Sequence, residues 1–321
     1  MSDLLNREDN GKLHAHYLFF TMSNLMNKLA TLCGVIAILL WSMSVALTRS
    51  IAEALGPFGA GAAIYSVSGL LVLCVVGMPK VREQRPAYLW GCGALFVIYM
   101  VCFALAIGMA TNRAQTLEIG LINYLWPSLT LAAALPLLKV KARWWLWPGI
   151  LLAFCGVVWV VSGGSLSLQQ FITHAEQNPI AYLLAVIAAL SWALYSNLVR
   201  IYCQGKGVLP LFLLATSVCL WVMTFVFSDL PTTIPSTSTL LELLLMGGTT
   251  AIAYLCWDKA MRQGNVTLVA ALSYFTPLFS ILIASLWLST WPGNAFWSGL
   301  VMVILGSLLC WSASRHKTSN S

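Results

Sequence analysis

NYLWP, residues 123–127, and SYFTP, residues 273–277, decide the architecture of this chain. Each sets a tyrosine and a proline inside a long apolar run, where lipid-facing sequence calls for aliphatic side chains. A shift of about 150 residues lays one on the other, Tyr124 on Tyr274 and Pro127 on Pro277. At the same shift Gly149, Gly156 and Ser162 fall on Gly299, Gly306 and Ser312. One further residue of offset brings Trp41 and Arg49 onto Trp192 and Arg200. Separate apolar runs that agree on nearly one offset mark a tandem repeat.

Composition supplies the solvent. Of 321 residues, 60% are hydrophobic and 8% charged, too few charges to cover a water-soluble domain of this length. Apolar runs of about 20 residues lie near 29–51, 57–78, 89–110, 115–138, 144–163, 179–201, 209–228, 239–261, 266–289 and 294–312. They are continuously apolar, without period-two alternation, so they predict helices and not a barrel. The expected fold is an all-α polytopic membrane protein of ten transmembrane helices. The repeat divides it into a tail (1–28), a five-helix repeat (29–163), an external linker (164–178), a second five-helix repeat (179–312) and a tail (313–321). Five is odd, so the second copy enters the membrane from the opposite side. Inverted repeats of this kind typify secondary transporters, with the substrate between the copies near the midplane.

The net charge of +7 does not point to nucleic acid, because of where the charges fall. With both termini in the cytoplasm, 15 of the 17 basic residues lie inside, leaving only Arg49 and Arg113 outside. The tail mixes acids and bases around short apolar patches and has no cleavage signature of a targeting peptide. Nine scattered cysteines form no CxxC pair, which argues against disulfide and metal frameworks. The histidines (His14, His16, His174 and His316) all lie outside the apolar runs, and no catalytic cluster of acids and histidines is present. The sequence therefore predicts no enzyme, cofactor or metal. Its partners are the lipid bilayer and a small solute, and a monomer is compatible with it.

Proline removes a backbone donor and crowds the carbonyl four residues earlier, so Pro127 and Pro277 are expected to bend their helices and free the carbonyls of Asn123 and Ser273. Freed carbonyls at membrane depth need protein or a wet cavity to satisfy them. Tyr88, Trp90, Trp144, Trp145, Trp147, Trp291, Trp297 and Trp311 fall near run ends and read as an interfacial belt. Trp41, Tyr65, Tyr99, Tyr124, Trp126, Trp192, Tyr195 and Tyr274 fall near run centres, where their polar atoms need inward partners. Tyr99 and Phe103 stand one turn apart on one helix face. The candidate substrate-binding set is thus Trp41, Tyr99, Phe103, Asn123, Tyr124, Trp126, Trp192, Tyr195 and Tyr274. Rings in this number suit a flat amphipathic solute, or an organic cation held over ring faces. Glu118, near the outer end of its run and about 140° around the helix from Asn123, is a candidate for coupling or for a helix N-terminus.

IYSVSGLL (64–71), INYLWPSLT (122–130), GNVT (264–267), SYFTP (273–277) and the terminal GSLLCW resemble the aromatic amino acid exporters of the drug/metabolite transporter superfamily, the YddG type with two EamA-like repeats. The resemblance runs from about the first apolar run to Trp311. It implies ten helices in two inverted repeats, residence in the bacterial inner membrane, and export of aromatic amino acids through a central cavity lined by Tyr124 and Trp126. The small multidrug members of the superfamily carry a glutamate in the first helix. ATLCGVIAILLWSMSVAL offers no acid, so their proton coupling does not carry over. Efflux of toxic aromatic cations such as viologens is the alternative reading.

Overall fold

The computed structural model describes residues 26–139, 141–203, 207–228 and 235–314. Most of both expected tails, and much of the loop DLPTTIPSTST (229–239), lie outside the described residues. Every regular element described is helical. Among the described residues, seven helical runs are long and apolar enough to cross a membrane, and Leu146–Val161 and Thr276–Trp287 are shorter apolar helices.

The first run, Met26–Val76, is 51 residues long and combines α1 (residues 26–42) with α2 (Ser44–Val76) across a turn at Met43. At 1.5 Å per residue it would measure about 77 Å, more than twice the roughly 30 Å of bilayer hydrocarbon. Gly56 resolves the excess. Its φ of 75° and ψ of 165° lie in a region open essentially to glycine, and Pro57 restarts the helix without needing an N–H. The runs expected at 29–51 and 57–78 thus meet within one continuous element that breaks at a single glycine.

A 3-10 turn (Val81–Glu83) and a π-helical turn (Ala87–Cys92) lead into α3 (Gly93–Gly108). Then follow α4 (Arg113–Asn123), α5 (Trp126–Leu138), α6 (Leu146–Val161) and the short α7 (Leu168–Ala175). The second half of the chain forms α8 (Pro179–Tyr202), α9 (Leu209–Phe227), α10 (Thr237–Gln263), α11 (Val266–Ser273), α12 (Thr276–Trp287) and α13 (Asn294–Ser314).

NYLWP is a break between helices. α4 stops at Asn123, and the Tyr124 N–H closes on the carbonyls of Gly120 and Leu121. Leu125 caps α5, and Pro127 takes its second position, where a missing N–H costs nothing. SYFTP repeats the pattern: α11 stops at Ser273, Phe275 caps α12, and Pro277 is its second residue. Pro127 thus sits where the chain turns within the single run Arg113–Leu138, and Pro277 holds the matching place after the SYFTP turn.

The helices pack chiefly as α6 with α13, α2 with α9 and α10, and α3 with α8. Between α6 and α13 the backbones touch. A Cβ on Gly149 would lie 2.8 Å from the Gly306 carbonyl oxygen, and one on Gly156 would lie 2.6 Å from that of Gly299. The opposite order of these pairs makes the two helices antiparallel, with small residues permitting the close approach. Between α2 and α9, Ser66 Oγ and Ser217 Oγ lie 2.6 Å apart, and Trp221 Nε1 donates to Ser66 at 3.0 Å. Leucines, valines and phenylalanines such as Leu70, Val75 and Phe225 cover the exposed surface, as a lipid solvent requires. Trp90, Trp144, Trp147 and Trp291 are exposed near helix ends, but Tyr88 does not join that belt. Two residues from Trp90, it points nearly opposite. It is buried against Phe212, with its hydroxyl accepting the Val208 N–H at 3.2 Å.

The two ends of the bundle carry different parts of the chain. The linker end holds Gly56, Ala110 and α7; the tail end holds residue 26, Arg143 and Ser314.

Candidate functional site

A cluster of rings fills the middle of the bundle between α3, α5 and α8. Phe96, Tyr99 and Phe103 are spaced to share one face of α3, and Trp192 and Tyr195 do the same on α8. Tyr99 stacks with Phe103 at 6.0 Å and 8° between planes, and approaches Trp192 to 4.5 Å. Trp192 contacts Tyr195 at 5.2 Å and meets Trp126 edge-on at 6.4 Å. The structure thus brings Tyr99, Phe103, Trp126, Trp192 and Tyr195 together.

Trp41 joins them indirectly. It lies 5.3 Å from Tyr254 and 5.0 Å from Trp257, and Tyr254 lies 6.1 Å from Phe96. Phe96, fully buried, also touches Trp192 and Tyr195. Phe96 and Tyr254 were missed in the sequence. Phe96 was legible as the residue one turn before Tyr99, and Tyr254 follows Tyr99 by about 155 residues, a few beyond the repeat offset. Tyr65, Tyr99, Tyr195 and Tyr254, from α2, α3, α8 and α10, pack into one buried cluster.

At the edge of the cluster stands the α4–α5 break. Asn123 is 3% exposed, and its side chain lies close to the Tyr99 hydroxyl. Its carbonyl oxygen Oδ1 is buried without a hydrogen-bond partner. Tyr124 is buried, and its hydroxyl approaches Ser280 of α12, whose own Oγ closes no well-formed hydrogen bond. Tyr274 is placed apart. Although it aligns with Tyr124, it packs 6.3 Å from Trp311 on α13 and makes no ring contact with the central cluster among the described residues.

Glu118 also stands outside the cluster. It lies beyond the first turn of α4, so the helix-terminus reading fails. Its carboxylate accepts from the Tyr182 hydroxyl of α8 and lies 3.3 Å from His174 Nε2 of α7. Beside it Asn178 Nδ2 donates to Gln115 Oε1 and to the Met109 carbonyl, both at 2.9 Å. These bonds tie α4 to α7 and α8 at the linker end.

A second tie at that end is ionic. Glu53 accepts from Arg49 Nε at 3.0 Å and from both Nε and Nη2 of Arg113, at 3.1 and 2.7 Å. Arg49 Nη1 also donates to the Ala110 carbonyl at 2.6 Å, and Arg113 Nη1 to the Leu288 carbonyl at 3.0 Å. The network links α2 and α4 to the end of α12. At the tail end the Asn265 N–H donates to Thr31 Oγ1 at 2.8 Å, so bonds between the two halves of the chain are present at both ends. Among the described residues no group of three or more His, Cys, Asp or Glu is placed to hold a metal ion.

Comparison with known proteins follows this geometry. The model of the EamA-like transporter family matches residues 179–312. The chain is 42% identical to the aromatic amino acid exporter YddG of Salmonella typhimurium, over 90% of this chain and 98% of that protein. It is likewise 42% identical to the exporter of the same name from Escherichia coli, over 89% of this chain and 98% of the other. A protein solved by crystallography, 28% identical, superposes with a TM-score of 0.62 over 89% of this chain and 97% of its own.

Proposed function

The chain belongs to the family of aromatic amino acid exporters within the EamA-like transporters, and on that premise we propose that its central rings carry aromatic amino acids out of the cell by alternating access. The observation that carries the reading is the ring cluster itself. Tyr99, Phe103 and Trp126 come from the first half of the chain, Trp192 and Tyr195 from the second, and Trp192 contacts both Tyr99 and Trp126. A solute ring intercalated here would meet faces and edges contributed by both halves. Relative motion of the halves would then reshape its site.

The finer architecture belongs to the same proposal. Two crossings either side of Gly56, the six other long runs and the two shorter apolar helices make ten crossings. The first repeat spans 29–163 and the second 179–312, joined by the linker 164–178 that contains α7. Support for inversion comes from reciprocity. The repeat maps Gly149 to Gly299 and Gly156 to Gly306, while the contacts pair Gly149 with Gly306 and Gly156 with Gly299. Exchange of roles of this kind characterises a two-fold axis. Ser66 likewise touches Ser217, its counterpart 151 residues on. Basic residues concentrated at the tail end orient both termini to the cytoplasm and the linker end outward.

Purified protein in liposomes tests the function with labelled tryptophan, phenylalanine and threonine and a quaternary aromatic dication. Saturable tryptophan and phenylalanine flux, lost in a folded Trp126→Ala variant, is the expected result. Flux of the dication alone would replace the amino acid reading with cation efflux.

A further inference from the structure

An aromatic amino acid brings two charges as well as a ring, and every side chain in the ring cluster is uncharged. A buried ammonium or carboxylate without a partner is strongly disfavoured, so neutral polar groups must meet both. The protein's own unmet hydrogen-bonding capacity indicates where. Among the described residues, three buried side-chain atoms of the helices around the site have no hydrogen-bond partner: Asn123 Oδ1, Ser280 Oγ and Ser285 Oγ. A hydroxyl can rotate to donate or accept, but an amide oxygen only accepts. Asn123 Oδ1 is therefore the atom that specifically lacks a donor, and it belongs to a side chain that also lies close to the Tyr99 hydroxyl at the edge of the rings.

We propose that Asn123 Oδ1 receives an N–H of the substrate's ammonium group, which orients the amino acid with its ring among Tyr99, Trp126 and Trp192. The inference rests on the aromatic-substrate reading and adds to it a residue that selects for the amino group. A break in the helix is what makes the position available. α4 ends at Asn123, and the turn through Tyr124 and Leu125 sets the residue at the junction of two helices. The acceptor is neutral, and that matters. A carboxylate there would favour cations over zwitterions, whereas an amide oxygen asks only for an N–H donor. Quaternary aromatic cations have no N–H and gain nothing from it.

The experiment measures binding of labelled phenylalanine to the purified full chain, with three competitors. Phenethylamine keeps the ammonium and lacks the carboxylate, 3-phenylpropionate lacks the ammonium, and N,N,N-trimethylphenylalanine keeps the charge and lacks the N–H. Asn123→Leu, similar in shape and without an acceptor, should weaken phenylalanine and phenethylamine on the order of tenfold to a hundredfold. It should leave 3-phenylpropionate within about twofold. In the unmutated protein, trimethylation should cost a loss of the same order, a comparison that stands even if the variant fails to fold. Equal weakening of all ligands by Asn123→Leu, or trimethylphenylalanine binding as tightly as phenylalanine, overturns the assignment while leaving aromatic transport intact. An unmutated protein that binds none of the four ligands overturns the aromatic-substrate reading and this inference with it.

Discussion

Glu53→Gln should loosen the linker end of the molecule by an amount the geometry sets. The substitution keeps the shape of the side chain and removes the charge that holds Arg49 and the two-point contact with Arg113. Arg113 is 45% exposed and Glu53 32%, so solvent screens much of that pair. Exposed pairs contribute about 0–1 kcal/mol. Arg49 is only 11% exposed but retains the Ala110 carbonyl as a partner. The net loss is thus on the order of 1 kcal/mol, a shift of roughly fivefold in the closed-to-open ratio at this end. Leu288 provides the reporter. It is 1% exposed, and its carbonyl is held by Arg113. With Leu288→Cys in a background depleted of the nine native cysteines, a membrane-impermeant maleimide should label the Glu53→Gln protein about five times faster at low salt. Raising salt to about 1 M, where the Debye length falls to about 3 Å, should speed labelling of the protein with Glu53 intact and leave Glu53→Gln nearly unchanged. Equal labelling rates at low salt would refute the ionic tie, as would a salt response that survives the substitution.

Three further outcomes follow from the same structure. Gly299→Val sets a Cβ 2.4 Å from Val160 Cγ2 and 2.7 Å from the Gly156 carbonyl oxygen, a clash the backbone must absorb. It should cost about 3 kcal/mol or more, read as a lower midpoint of thermal unfolding in detergent, whereas Gly293→Ala, with nothing within 4 Å, should leave the midpoint unchanged. Glu118→Gln keeps an acceptor for Tyr182 and lies outside the rings, so equilibrium phenylalanine binding should stay within about twofold of the starting protein. A tenfold loss would move Glu118 into the site, and abolition of a pH-gradient effect on flux with binding intact would mark it as a coupling residue. Finally, protease-sensitive tags at both termini should be cut in inside-out vesicles and protected in right-side-out ones. Cleavage of one terminus on each side would contradict an even number of crossings.

Much of the fold was readable because lipid imposes long apolar runs on the sequence and leaves charge for the ends. The proposed duplication rests on glycines and prolines, whose backbone roles outlast side-chain drift. Contacts that depend on how helices rotate against one another were less readable. Tyr88 and Trp90 sit at nearly the same depth but point nearly opposite ways, and packing on Phe212 shows which of the two is buried. Trp41 could be placed at the right depth, but not against Tyr254 and Trp257 of a helix about 200 residues away. Alignment of Tyr274 with Tyr124 carries over the turn but not the ring neighbours. The neighbours of the second turn are Trp311 and α13. Glu118 was visible as a lone acid, but its partners, His174 and Tyr182, lie in the linker and on the next helix.

The contact between α6 and α13 has a mechanical meaning. Where side chains separate two helices, rotamer changes let one slide or roll past the other. Here carbonyl oxygens of one helix press against the Cα atoms of the other at two points, Gly149 with Gly306 and Gly156 with Gly299. Displacement by even one residue would drive a larger side chain into a carbonyl. The pair resists sliding along its length, and under the proposed alternating access it would serve as the axis about which the halves turn. Larger excursions then fall to helices farther from this axis, whose ends are joined by hydrogen bonds and ion pairs that can break and re-form.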